Sequence, residues 1–376
     1  MLLARGSIEG SCTAQVAAVD AVPQALVQEW AALAERASEP NAFAEPWFVV
    51  PALKQLRDGR TVRIVEARDG DGQLIGVIPL TLSRRYGRIP VSHTTNWAHF
   101  QCLMGTPLVL AGRETAFWKA LFDLVDRSAW ARGFVTLTGL NENGPLHRAL
   151  TEVGRPCPIV HRYERAALES TLDGDAYLET HIRPKKRKEL RRLANRLADA
   201  GSVHYAVLGD AAALPVWCDE FLRLEASGWK GTRGSAFGNQ ASTEIFFRDI
   251  MRGALEAGRL DFQRLDLDGR AIAMLINFRT PPGSWSFKTS YDEAFARYSP
   301  GVMIELEKLK RVLADPDIEW MDSCAVENHS MIDRIWAERR AIVQVTVPLA
   351  GVKRRAIYGL CRSAERLSAL ARRVRG

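Results

Sequence analysis

Apolar and polar residues alternate through Val62–Ser83 (VRIVEARDGDGQLIGVIPLTLS) and again through Leu260–Thr280 (LDFQRLDLDGRAIAMLINFRT). Each stretch reads as a strand, a turn rich in Asp and Gly, and a second apolar strand, the pattern of a β-hairpin. Downstream the period changes. Glu114–Trp130 and Ser299–Leu313 carry apolar residues at helical spacing, and each leads into a short strand, GFVTLTGL (133–140) and IEWMDSC (318–324). Asn141-Glu142-Asn143 follows the first of these strands and Val326-Glu327-Asn328 the second. Upstream, Ala42-Phe43 and Ala236-Phe237 each precede a helix. Gly72 matches Gly269 at an offset of 197 residues, Glu142 matches Glu327 at 185, and Ala42 matches Ala236 at 194. Three features in one order at nearly constant offset point to an internal repeat, against the plainer reading of two unrelated halves that share common hairpins. The repeat unit is helix, hairpin, long strand, helix, strand, helix. It predicts an α+β fold on a mainly antiparallel sheet flanked by helices. The expected divisions are 1–165, 166–350 and a tail, 351–376.

Composition narrows the function classes. With 47% hydrophobic and 25% charged residues in 376, the chain is globular and large enough for two cores. No apolar run is long enough to span a bilayer, and the first residues do not read as a signal peptide. The six cysteines are scattered without a CxxC pair, which argues against a zinc site or a disulfide framework and fits a reducing cytosol. No metal is expected. The net charge of +7 is uneven: the last 26 residues hold eight basic side chains and one acid, so the remainder is formally balanced. That is not the profile of a dedicated nucleic-acid binder.

The segment Ser284–Leu313 (SWSFKTSYDEAFARYSPGVMIELEKLKRVL) concentrates the chemistry. Trp285, Phe287, Thr289 and Tyr291 alternate with polar residues, as in a half-buried strand. Ser299-Pro300-Gly301 is a helix start with Ser as N-cap and Pro at the first helical position. Gly301 allows close approach to the backbone, and the free N–H groups with the helix dipole suit an anion, with Arg297 adding charge. A plain capped helix is the alternative.

The order strand, FKTSYD, FARYSPG, helix, IEWMDSC and a downstream IWAERR resembles the GNAT superfamily, and more closely the CelD-type acetyltransferases linked to exopolysaccharide synthesis. These are similar to the Fem-type transferases, which have two tandem GNAT units. The resemblance covers about residues 40–345. Arg297-Tyr298-Ser299-Pro300-Gly301-Val302 keeps the arginine and one glycine of the family's pyrophosphate loop and lacks the second glycine. The resemblance implies two tandem GNAT units, the first degenerate. In the second, acetyl-CoA or another acyl-CoA would rest its pyrophosphate at Ser299–Met303 and its pantetheine along the strand carrying Ile272, Met274 and Ile276.

Acyl transfer needs a neutral amine, a polarised thioester carbonyl and a protonated leaving thiolate. Asp322, at the end of IEWMDSC, ranks first as base; capping the next turn is its plainer role. Lys288 is a candidate for an anionic group on phosphate or acceptor, and His329 for proton shuttling. Glu305, one turn into the helix, has a dipole role as its alternative. For the acceptor the candidates are Trp229 and Lys230 in a glycine-flanked loop, Trp97 in Asn96-Trp97-Ala98-His99, and Tyr291. Cys324 has no assignable His–Asp partners, and the resemblance implies direct transfer rather than a covalent step.

Arg183–Arg196 opens a basic helix, either a solvated face or a clamp on phosphates. A tRNA partner is conceivable by the Fem-type resemblance, but the balanced charge argues against it. In the tail, Ile357, Leu360, Leu367, Leu370 and Val374 fall near helical spacing between arginines, either an amphipathic helix on anionic lipid or a disordered extension. The expectation is a cytoplasmic acyltransferase acting on an amine, such as an amino sugar of an envelope precursor, with peripheral contact at the inner membrane. A tRNA-dependent transferase and a non-catalytic scaffold are the alternatives.

Overall fold

A computed structural model describes residues 12–17, 22–228, 231, 234 and 236–375, with side chains described as far as Leu367. In chain order the elements are β1 (Thr13–Ala17), α1 (Gln24–Ala34), α2 (Pro46–Gln55), β2 (Val62–Arg68), β3 (Leu74–Ser83), β4 (His93–Asn96), β5 (Leu108–Val109), α3 (Glu114–Arg127), β6 (Phe134–Asn141), α4 (Pro145–Glu152) and β7 (Ile159–Leu168). There follow α5 (Gly174–His181), α6 (Pro184–Ala198), β8 (Val203–Val207), α7 (Leu214–Ser227), α8 (Ala241–Glu256), β9 (Leu260–Leu267), β10 (Arg270–Thr280), β11 (Gly283–Tyr291), α9 (Pro300–Leu313), β12 (Trp320–Asp322), β13 (Glu338–Pro348) and α10 (Val352–Arg375). They form two compact units. Unit 1 holds the chain up to Pro46, Gly59–Arg162 and everything from Ile342; unit 2 holds Trp47–Asp58 and Tyr163–Ala341.

Each unit has the same sheet. In unit 1 the order is β1-β2-β3-β4-β6-β13, antiparallel except between β4 and β6. In unit 2 it is β8-β9-β10-β11-β12-β7, antiparallel except between β11 and β12. The repeat anchors behave alike. Gly72 and Gly269 turn the hairpins at φ 82° and 77°, and Asn143 and Asn328 are both left-handed, at φ 61° and 59°. Between β9 and β10 two residues, Asp268 and Gly269, both at positive φ, close the turn between paired Leu267 and Arg270, which suits the right-handed strand twist. Ala42–Ala44 and Phe237–Asn239 are both 3-10 turns leading into helices.

The units are not the contiguous blocks that the repeat suggests. The break after β6 falls at Arg162, three residues before the expected one. The strand that closes each sheet lies far along the chain from the strand it pairs with, after the other strands of unit 1 in one case and before the other strands of unit 2 in the other. Strand β6 pairs with β13, from Phe134↔Pro348 to Asn141↔Ile342, and β12 pairs with β7. Helix α2 also departs from the expected 1–165 block, because its aromatic residues match the core of unit 2. The fully buried Phe48 ring lies edge-on to Phe246 at 5.5 Å and to Phe287 at 6.2 Å, and Trp47 lies 4.9 Å from Phe278. The opposite face of the unit 2 sheet is covered by aliphatic side chains, among them Leu190, Leu193 and Leu197 of α6 and Ile304 and Leu309 of α9. The tail is a helix, α10, whose Ile357, Tyr358 and Cys361 pack on Tyr86 and Phe134 of unit 1.

Phe48→Ala should lower the stability of unit 2 by about 3–4 kcal/mol, the cost of a buried aromatic cavity. Urea unfolding followed by hydrogen exchange in Phe246–Phe287 checks this. If exchange there is unchanged, α2 does not belong to that core.

Candidate active site

Strand β11 meets β12 at only three positions, Gly283↔Trp320, Ser284↔Met321 and Trp285↔Asp322. It then runs on to Tyr291 while β12 stops. Among the described residues no strand pairs with Ser286–Tyr291 on that side, so backbone N–H and C=O groups line the widening gap. The parting coincides with a bulge. Lys288 pairs with Ile276 and Ser286 with Asn277, which leaves Phe287 as the extra residue. The bulge resets the alternation that the sequence suggests. Phe287 and Lys288 share a face, where the Lys288 ammonium lies 5.4 Å from the Phe237 ring and 5.5 Å from that of Phe287. Thr289 turns to the other face and donates to Glu305 at 2.9 Å.

Strand β12 stops because of Asp322. Its Oδ1 accepts the N–H of Cys324 at 2.8 Å, a side-chain turn that takes this donor out of any ladder, and Cys324 itself is left-handed at φ 52°. The same carboxylate is wholly buried and ion-paired with Arg165 of β7, Nε to Oδ1 at 2.7 Å and Nη2 to Oδ2 at 3.0 Å. Arg340 approaches Oδ2 at 3.5 Å, with its guanidinium 3.8 Å from the Trp320 ring centroid. On α9 beside the gap, buried Lys308 pairs with Glu305, donates to Ser286 at 3.3 Å and sits 4.8 Å from the Trp336 centroid. The cluster joins three cations to two carboxylates. Burial pushes the Cys324 thiol well above its ordinary value, with Arg165, Arg340 and Lys308 pulling the other way. Burial also pushes up Tyr163, which bonds Arg165. Burial disfavours the Arg165 cation, yet Asp322, Cys324 and Tyr163 more than offset it and hold its pKa above the ordinary arginine value.

At the start of α9, Ser299 stands at the cap position but in the left-handed region (φ 53°, ψ 52°), and its hydroxyl caps nothing. The carbonyl of Ser299 takes the N–H groups of both Val302 and Met303, at 2.9 and 3.1 Å. That leaves the Gly301 N–H as the helix-start donor without an acceptor among the described residues. Gly301 makes a different contact than expected: a Cβ there would lie 3.2 Å from the Tyr291 ring, which would have to shift by a few tenths of an ångström. Charge comes from two sides. The guanidinium of Arg297 lies 4.7 Å and that of Arg196, from α6, 5.9 Å from the centroid of the Tyr298 ring. Neither has a carboxylate partner among the described residues.

Several sequence expectations change. Ile272, Met274 and Ile276 are buried in β10, which is hydrogen-bonded to β9 on one edge and β11 on the other. A fully paired central strand has no edge for a pantetheine arm; the open edge belongs to β11. Asp322, chosen as base, is an ion-paired turn former and does not face an open mouth. His329 is tied to its own loop, its Nδ1 accepting from Ile332 N–H at 3.3 Å. Trp97 is a buried core side chain with no open face for stacking. Trp229 and Lys230 lie outside the described residues. Arg165, Arg340 and Lys308 escaped the sequence reading because each belongs to a different element. Buried Glu225 was missed too; it accepts the Phe237 N–H at 2.8 Å.

Unit 1 carries the same parting of parallel strands, β4 from β6 after Thr95↔Thr136, but its own chain fills it. The Asn96 amide donates to Thr138 O at 2.8 Å and Gly105 O at 3.0 Å and accepts from Thr138 N at 3.0 Å. Gly105 N–H bonds Gly139 O at 2.9 Å. A Cβ at Gly105 would come within 1.9 Å of the Thr138 carbonyl oxygen, so only glycine fits.

Residues 184–329 match the family described as acetyltransferase (GNAT) domain. A search of curated proteins returns no significant match. Similar solved structures include a conserved protein of unknown function from Bacteroides thetaiotaomicron, at 12% identity over 85% of this chain and 97% of that one, TM-score 0.53. FemX is similar at 10% identity over 85% and 95%, TM-score 0.52. The C-terminal DUF2156 domain of a protein named as a lysylphosphatidylglycerol synthetase, from Agrobacterium fabrum, is similar at 13% over 90% and 95%, TM-score 0.53. The chain therefore has the GNAT fold, a mixed sheet flanked by helices, and contains a GNAT acyltransferase domain.

Two measurements follow. Asp322→Asn should cost about 3–5 kcal/mol of stability by removing the carboxylate that neutralises the buried Arg165 cation, and an equally stable but inactive variant would instead make Asp322 the base. The second concerns the loop that closes unit 1. Burial pushes the His99 imidazole down to about 4, and its Nδ1 accepts from Gln101 N–H. Its folded pKa lies below the unfolded 6.5, so its contribution is full above pH 6.5 and is lost as pH falls toward 4, about 2–3 kcal/mol in all. Urea midpoints at pH 7 and 4.5 should differ more for the wild type than for His99→Gln.

Proposed function

We propose that the chain transfers an acyl group, acetyl in the first instance, from acyl-CoA to an amine by direct attack in a ternary complex. The observation that carries this is the parting of β11 from β12 next to a helix start with two unpaired arginines. The open edge of β11 from Ser286 to Tyr291 offers main-chain partners to an extended amide-bearing arm. The Gly301 N–H with Arg196 and Arg297 offers a seat for a pyrophosphate. The amine attacks the thioester carbon, the C–S bond breaks, and the proton lost by nitrogen balances the one gained by sulfur. Negative charge develops first on the carbonyl oxygen and then on the thiolate. The excess of cations, with Arg165 and Lys308 buried and Arg340 half-buried, favours both. Tyr163, bonded to Arg165 and held protonated, is the donor of choice for the departing thiolate. The acceptor belongs on the opposite face, where Lys288 stands over Phe237 and Phe287. An amino sugar of an exopolysaccharide or envelope precursor is the acceptor class that the CelD-type resemblance favours. Unit 1, with its gap closed by Asn96 and Gly105, takes no acyl-CoA in this reading.

One observation favours an aminoacyl-tRNA donor instead. The solvent face of α6 exposes Lys185, Lys188, Arg191, Arg192 and Arg196 in one helix, a surface for a polyanion.

Calorimetry with acetyl-CoA separates the two. The wild type should bind, and Arg196→Glu and Arg297→Glu should each weaken binding about tenfold, or 1.4 kcal/mol. Absence of binding by the wild type, together with RNase-sensitive binding of aminoacyl-tRNA, would replace the first reading with the second.

A further inference from the structure

Helix α10 has two apolar faces, and unit 1 covers only one of them. The covered face carries Ile357, Tyr358 and Cys361, packed on Tyr86 and Phe134. Arg354 fixes the start of the helix by donating to the carbonyls of Asp126, Ser128 and Ala131 at 2.8, 2.9 and 3.0 Å. Glu365, the helix's one acid, is turned toward the covered side, where the Tyr86 hydroxyl and Arg362 hold it. On the other side, Val352, Leu360 and Leu367 recur at intervals of eight and seven residues, which keeps them within about 80° of one another around a helix. They are 85%, 64% and 67% exposed, so this side faces solvent along at least four turns. Small residues, Ala356 and Ser363, fill the places between them, and Lys353 on one side and Arg355 and Arg366 on the other are exposed beside it.

We infer that this stripe docks the protein on an anionic lipid bilayer, with the helix axis in the plane of the interface. The charge pattern selects this occupant. A stripe of leucine and valine bordered by cations, with the only acid drawn to the far side, fits an apolar layer under a negative surface. A second copy of the helix would bring arginines against arginines. The docked face fixes which side of α10 meets the lipid, and the long basic stems lie along the apolar stripe with their charges toward the headgroups.

The test is co-sedimentation of the full chain with vesicles of phosphatidylcholine, with and without phosphatidylglycerol, at low and high salt. The chain should pellet with the anionic vesicles alone, and less at high salt. Leu360→Glu/Leu367→Glu alters only exposed side chains, so its melting curve should match the wild type. It should bind at least about tenfold more weakly, since each leucine buried in the layer is worth roughly that factor. Wild type that stays in the supernatant, or a double variant that pellets equally well, overturns the inference. So does light scattering that finds a wild-type dimer converted to a monomer by the variant, which would assign the stripe to self-association.

Discussion

Strand β12 is three residues long, and the reason is a single carboxylate. Asp322 folds back to take the N–H of Cys324, so the ladder to β11 cannot continue. A buried anion at a strand end is costly unless it is neutralised, and Arg165 on β7 supplies both hydrogens and charge. The closing strand of the sheet is therefore held to β12 at the point where β11 turns away. Arg340, stacked on Trp320, completes the arrangement. The gap, its cationic lining and the position of β7 all depend on this one group.

The two units show how little separates an open gap from a closed one. Both have one parallel pair of strands in an otherwise antiparallel sheet. In unit 1 a side-chain amide spans the space that a ligand's backbone-like groups would use, and the glycine pair Gly105 and Gly139 lets the chain approach within hydrogen-bonding distance. In unit 2 the corresponding segment is the 3-10 turn Glu293–Tyr298, which packs Tyr298 into the core and gathers arginines on its ring instead.

Much of this could be read in the chain itself. The hairpins, the repeat and the helix at 300–313 follow from local periodicity, which is a local property. The Asp-Gly turns at 71–72 and 268–269 need positive φ and declare it. What local pattern could not give was pairing between distant segments. Nothing in Ile159–Leu168 says that it will lie beside Trp320–Asp322, so the Arg165 partner of Asp322 was invisible and Asp322 looked free. The bulge at Phe287 was hidden for a related reason: an extra residue in a strand leaves the alternation of Trp285, Phe287 and Thr289 intact on paper while reversing it in space. Ile272, Met274 and Ile276 read as a strand, and so they are. Whether a strand is central or at an edge depends on its neighbours, and that decided against them.

The exchange of closing strands also sets an order in time. A ribosome that has delivered β6 has not yet delivered its partner β13, some two hundred residues further on, so the first sheet must wait with one side uncovered. Helix α2, made early, has its aromatic partners in Phe246, Phe278 and Phe287, which are made late. The second unit, by contrast, already has β7 in hand when its own strands emerge. Synthesis would thus complete the second-made unit before the first-made one, because β13 emerges only after every strand of the second sheet.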